Sequence, residues 1–167
     1  RIEKAVELMA RAKKPVFYVG GGVVNAGVEA CAALTKLVHE TGFPCTTTLM
    51  GLGAFPGSDP QFLGMLGMHG LYEANLAMHG CDVMINIGAR FDDRVTGDLA
   101  KFCPTARIIH IDIDPASISK NVRVEVPIVG SVTNVLSELN RLLQEAGVTP
   151  VDRETNPWWR QIREWQK

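Results

Sequence analysis

The 167-residue chain has almost no excess of charge of either sign: 17 Lys and Arg stand against 18 Asp and Glu, a net charge of −1. Without a basic surplus there is no electrostatic case for a nucleic acid or an anionic membrane surface as partner. Long apolar runs are absent as well, and none approaches the ~18 residues that a membrane span needs. The opening RIEKAVELMARAKK has the pattern of an amphipathic helix and not of a signal peptide. The chain begins without Met and is expected to be a piece of something longer. Cysteine is sparse: Cys31, Cys45, Cys81 and Cys103 show no CxxC or zinc-ligand spacing. Four free thiols in a reducing compartment are expected, most of them acting as small core residues. His39, His69, His79 and His110 share no metal spacing, and no repeat or low-complexity tract is present.

What is there is ordinary globular material, 46% hydrophobic and 21% charged, long enough for one domain with a real core. The pattern alternates. A helix is expected over about 1–13, stopped by Pro15, then a short apolar run at 16–19 ended by Gly20-Gly21-Gly22. Asn25 can cap a helix reaching about 42, with Ala30, Ala33, Leu34, Leu37 and Val38 at helical spacing. CTTTL (45–49) reads as a strand, FLGML (62–66) as a possible edge strand, and 70–79 as a helix. VMINI (83–87), RIIHIDI (107–113) and VPIVG (126–130) are further strands. A helix over 131–147 would be capped by Ser131 and ended by Gly147. A polar linker follows. Then Trp158, Trp159, Ile162 and Trp165 mark the apolar face of a last helix, which is expected to seek cover from a neighbouring element. The expected division is a nucleotide-binding domain over 1–147 and a linker with helix over 148–167.

Strands alternating with helices give an α/β fold with a parallel sheet covered on both faces. Ligands in such sheets bind beyond the carboxyl ends of the strands, near the switch in strand order. The residues there are the candidates. Gly20, Gly21 and Gly22 read either as a tight turn or as a close backbone approach to a phosphate; the full dinucleotide fingerprint is missing, because Asn25 stands in the third glycine's place. Gly67-Met68-His69-Gly70 is a glycine-rich helix entry or part of a site. Asp112 and Asp114 precede Pro115 and read either as caps or as acceptors for a ribose. After VMINI, the chain places Arg90, Asp92, Asp93 and Arg94 within five positions. Arginines at a sheet mouth suit a diphosphate or carboxylate. A loop braced by its own Arg–Asp pairs is the other reading.

MLGMHG (65–70), GARFDDRVTG (88–97) and HIDIDP (110–115), in that order and spacing, resemble the central domain of the acetohydroxyacid synthase (acetolactate synthase) catalytic subunits. TTTLMGLGAFP (46–56) and KKPVFYVGGG (13–22) extend the likeness over nearly the whole chain. The resemblance implies a Rossmann-like parallel sheet of about six strands, of the DHS-like NAD/FAD-binding kind, holding an extended FAD. Gly20, Gly21 and Gly22 would lie along its diphosphate and ribityl part. Thr48, Leu49, Leu66, Gly67, Met68 and His69 would meet the flavin side. Gly88, Ala89, Arg90, Asp92, Arg94 and Val95 would line its middle, with Asp112 and Ile113 at the adenosine end. Met68, Asp93 and Arg94 would face the substrate channel. At the adenine end this chain has Ser131 where the family often has Asp, so the position offers a backbone contact in place of an acidic side chain.

For the whole protein the resemblance implies condensation of two pyruvates, or of pyruvate with 2-ketobutyrate, toward branched-chain amino acids. Thiamine diphosphate and Mg2+ would sit in other domains, so this stretch would carry no catalytic residue and be inactive alone. It further implies a homodimer or homotetramer, a small regulatory subunit and a bacterial cytoplasmic location. The alternatives are the central domain of another thiamine-diphosphate enzyme, such as a pyruvate oxidase or glyoxylate carboligase, or a non-catalytic nucleotide-binding module.

Overall fold

The computed structural model describes residues 1–65, 71–89, 103–118 and 124–167. Its helices are α1 (Ile2–Arg11), α2 (Gly21–Ala26), α3 (Val28–Thr41), α4 (Tyr72–Gly80), α5 (Val132–Glu145) and α6 (Pro157–Gln166). Its strands are β1 (Pro15–Val19), β2 (Cys45–Thr47), β3 (Phe62–Met65), β4 (Val83–Ile87), β5 (Arg107–Asp112) and β6 (Val126–Val129). All six form one parallel sheet in the order β3-β2-β1-β4-β5-β6. From β1 the chain runs outward through β2 to the edge strand β3. It then returns to the other side of β1 and continues through β4, β5 and β6. The switch in order therefore falls between β1 and β4.

β1 and β4 are buried along their whole length because helices cover both faces. Alternation sorts the side chains. Phe17, Val19, Ile85, Ile87, Ile109 and Ile111 join the core under α1, α3 and α5. Val16, Tyr18, Met84 and Ile108 join the core under α4 and α6. At the lower end of the sheet the Asp82 carboxylate accepts from the backbone N–H groups of Lys13 and Lys14 at 2.8 and 2.9 Å, tying the entry of β1 to that of β4.

Three expectations are corrected. The helix after β1 is two helices, divided at Gly27, whose φ of +103° only glycine adopts readily. Asn25 thus sits inside α2 and caps nothing. Ser131 does occupy the cap position of α5, but its side chain makes no capping bond. Finally, the tryptophan face of α6 is covered by its own domain. Trp158, Trp159 and Ile162 are buried beside Ala74, Ala77 and Met78 of α4. Trp158 Nε1 donates to the Pro15 carbonyl at 3.0 Å, and Trp159 Nε1 to the Gly42 carbonyl at 2.7 Å. Asn156 starts the helix by accepting from the N–H groups of Trp158 and Trp159, with Pro157 in the first turn. Paired indole N–H groups let Trp158 and Trp159 lie inside the core, while Trp165 stays half-buried at the edge of the stripe.

Candidate functional site

The cleft at the switch point is built from two turns that touch. β1 ends at Val19, and the N–H of Gly20 continues its ladder by donating to the Ile87 carbonyl at 3.0 Å. β4 ends at Ile87, and Gly88 turns with φ +67° while its N–H donates to Ile111 at 2.9 Å. The turns then join: the Gly22 N–H donates to the Gly88 carbonyl at 3.0 Å. A Cβ on Gly88 would stand 2.9 Å from Gly22 Cα, and one on Gly20 would stand 2.4 Å from Ala89 Cα. Side chains are excluded there by contact, not by chance of composition.

Beyond this junction lies a cleft of about 530 Å³. Gly22, Asn25 and Ala26 form one wall, and Gly88 the floor beside it. Asp112, Ile113 and Asp114 follow β5, and Ser131, Val132 and Thr133 open α5 on the remaining side. The first turn of a long helix carries unpaired N–H groups and the positive end of the helix dipole, which favour an anion. Asp112 is buried and sits between two tasks. Its Oδ1 accepts from the Asp114 N–H at 3.0 Å, and its Oδ2 lies 3.6 Å from Nε2 of the buried His110. Asp114 caps the short turn Pro115–Ser117 through the Ala116 N–H at 2.9 Å, and it also lines the cleft. Burial holds the His110 pKa below its ordinary value, opposed by the Asp112 charge.

Of the residues singled out in the sequence, Gly22, Gly88, Asp112, Ile113, Asp114 and Ser131 line this cleft together. Gly20 and Ala89 stand behind its floor, in contact with each other. Gly21 faces another way, against Met50. Thr48 accepts from the Gly51 N–H and caps the 3-10 turn Leu49–Gly51, so β2 stops at Thr47, earlier than expected; Leu49 is exposed. Neither Thr48 nor Leu49 lines the cleft. Leu66, Gly67, Met68, His69, Arg90, Asp92, Asp93, Arg94 and Val95 lie outside the described residues. Asn25, Ala26, Val132 and Thr133 line the cleft and were missed as site residues. The available signal was position alone: Val132 and Thr133 sit within about one helical turn of the end of β6, and Asn25 and Ala26 within about two of the end of β1. Among the described residues there is no group of three or more His, Cys, Asp or Glu able to hold a metal, and no helix long and apolar enough to cross a membrane.

Comparison with known proteins decides the family. The model described as "Thiamine pyrophosphate enzyme, central domain" matches residues 2–139. This chain belongs to that family. The thiamine pyrophosphate enzyme central domain seen here is also similar to named relatives. It is 52% identical to an acetolactate synthase large subunit of Haemophilus influenzae, over 99% of this chain and 28% of the relative. It is 50% identical to the acetolactate synthase isozyme 3 large subunit of Escherichia coli, over 99% of this chain and 29% of the relative. A probable acetolactate synthase large subunit of Methanocaldococcus jannaschii is 49% identical over the whole of this chain and 27% of its own length. The chain thus spans under a third of the relatives it matches. All its cysteines among the described residues are free, three of them buried. Burial raises the Cys103 thiol to about 11 and pushes the Cys45 and Cys81 thiols higher still, which suits core packing and not nucleophilic work.

Proposed function

We propose that this central domain binds FAD and belongs to an acetolactate synthase large subunit. The observation that carries the reading is the bare-backbone junction of Gly22 and Gly88 at the switch point, beside a buried carboxylate and an open helix start. These residues fit a dinucleotide. The N–H groups of Gly20, Gly22 and Gly88 are bonded to the carbonyls of Ile87, Gly88 and Ile111, so the junction serves as a closely packed, side-chain-free floor that leaves the cleft above it open to a diphosphate. The α5 start offers further donors for negative charge. Asp112 suits the hydroxyls of a ribose, and the exposed Ile113 gives the adenine an apolar neighbour. Ser131 would contribute through its backbone. Thr48, Leu49 and the segment Leu66–His69 would meet the flavin. Arg90, Asp92, Arg94 and Val95 would run along the middle of the cofactor, with Met68, Asp93 and Arg94 toward the substrate. When bound, FAD supplies a rigid dinucleotide body and a flavin that undergoes no net redox change in the condensation.

In the complete protein, thiamine diphosphate and Mg2+ would be held by other domains. They would join two pyruvates, or pyruvate and 2-ketobutyrate, on the route to branched-chain amino acids. The catalytic subunits would pair as homodimers or homotetramers with a small regulatory subunit, in the cytoplasm. The test is acetolactate formation by the full-length protein from pyruvate with thiamine diphosphate, Mg2+ and FAD. Turnover that depends on added FAD supports the reading; a full-length protein that consumes pyruvate without forming acetolactate overturns it.

A further inference from the structure

One polar side chain sits where the strand pattern calls for an apolar one. Asn86 lies in the middle of VMINI, is fully buried, and neighbours Tyr18 on β1 and His110 on β5 in the sheet register. An amide buried there is costly unless its groups are bonded. Both are bonded, and to the same residue three positions on. The Asn86 side-chain NH2 donates to the Ala89 carbonyl at 3.0 Å, and the Asn86 carbonyl oxygen accepts from the Ala89 N–H at 3.0 Å. The two bonds close a ring over the turn Gly88–Ala89. His110, on the next strand, stands beside Asn86 in the sheet register, and its Nε2 faces the Asp112 carboxylate at 3.6 Å. The turn so held is the one that presses on Gly20 and Gly22 to form the cleft floor.

We propose that Asn86 is a positioning residue of the switch-point cleft, fixing the Gly88–Ala89 turn against Gly20 and Gly22 without itself lining the cleft. Apolar strand residues could pack the sheet equally well at this position. Only a side chain with both a donor and an acceptor can hold the peptide groups on either side of the Ala89 Cα. His110, buried beside Asn86 on β5, lies 3.6 Å from Asp112, which lines the cleft. The ligand arm of the inference rests on the FAD reading above.

Two measurements on the 167-residue chain test it. The first is amide hydrogen exchange without any ligand. Ala89 continues no strand, yet its N–H should exchange as slowly as those of mid-β4. Asn86→Ala should speed exchange at Ala89 on the order of 100-fold while Ile85 and Ile87 stay protected. A freely exchanging Ala89 in the unaltered chain overturns the proposal even if the variant fails to fold. So does an Ala89 that stays protected in Asn86→Ala, or uniform acceleration along β4. The second is titration with FAD. Asn86→Ala should weaken binding about tenfold, which matches the net worth of roughly one hydrogen bond, with thermal stability changed far less than by a core truncation. Equal affinity in both proteins overturns the positioning role. Absence of FAD binding in both counts against the FAD reading, while the exchange result decides the role of Asn86.

Discussion

The backbone N–H of Gly22 donates to the carbonyl of Gly88 at 3.0 Å, and a single Cβ on either would close the space between them. That contact joins the ends of β1 and β4 at the point where strand order reverses. Gly88→Ala should therefore fail twice. The left-handed φ costs an alanine about 1–2 kcal/mol, and the new methyl would meet Gly22 Cα at 2.9 Å. The expected loss in urea unfolding is about 2–4 kcal/mol, with FAD binding abolished. Gly27→Ala is the control: its backbone is also strained, but a Cβ there meets nothing within 4 Å, so it should lose stability and keep the ligand.

Asp82 acts at the opposite end of the same two strands. Asp82→Ala removes the acceptor for the N–H groups of Lys13 and Lys14. Bonds to a charged acceptor are worth about 1.5–3 kcal/mol, and partial exposure puts the pair near the low end. Urea midpoints should fall by an amount equivalent to about 1–3 kcal/mol, with FAD affinity unchanged. A change in affinity would mean that the two ends of the sheet are coupled.

Trp159→Phe keeps most of the aromatic packing and deletes the donor to the Gly42 carbonyl. The expected cost is about 1–3 kcal/mol. Trp159→Ala should cost about 3–5 kcal/mol, because α6 then loses its anchor on the domain. If removing residues 157–167 left stability unchanged, the packing described for α6 would be wrong.

His110 gives a pH prediction with a definite sign. Its folded pKa lies below the ordinary value of 6.5 because burial disfavours the charged ring, with the Asp112 carboxylate opposing from 3.6 Å. As pH falls below 6.5 the unfolded chain takes up this proton first, so stability declines with acidity, by at most about 1.4 kcal/mol per pH unit. The decline ends once pH passes the folded pKa. Unfolding of the unaltered chain and of His110→Gln should be compared at pH 7.5 and 5.5. The unaltered chain should lose more, and parallel losses would contradict the assignment.

Much of this was legible from pattern alone. VMINI spans β4 residue for residue, and the first four residues of FLGML form the edge strand β3, because alternation and glycine or proline stops are local signals. The split of α2 from α3 was not legible, since Gly27 interrupts a periodicity that continues on both sides. Thr48 has the β-branched side chain of a strand residue, whereas its hydroxyl caps the next turn. The tryptophan stripe was legible as apolar but not its partner, because α4 lies far away in sequence. The cleft was legible at Gly22, Gly88, Asp112, Ile113 and Ser131, which lie at strand ends or within three residues of them. Asn25 and Thr133 lie further along the chain, in the helices that follow β1 and β6.

The central claim is that the β1–β4 switch point holds FAD. Titration of FAD into the chain, followed by amide chemical shifts, tests it most directly. Saturation at one equivalent is expected, with shifts concentrated at Gly22, Gly88, Asp112, Ile113 and Ser131. Saturable binding that instead moves Glu7, Arg11 and Arg107 at the other end of the sheet, or no saturable binding at all, would contradict it.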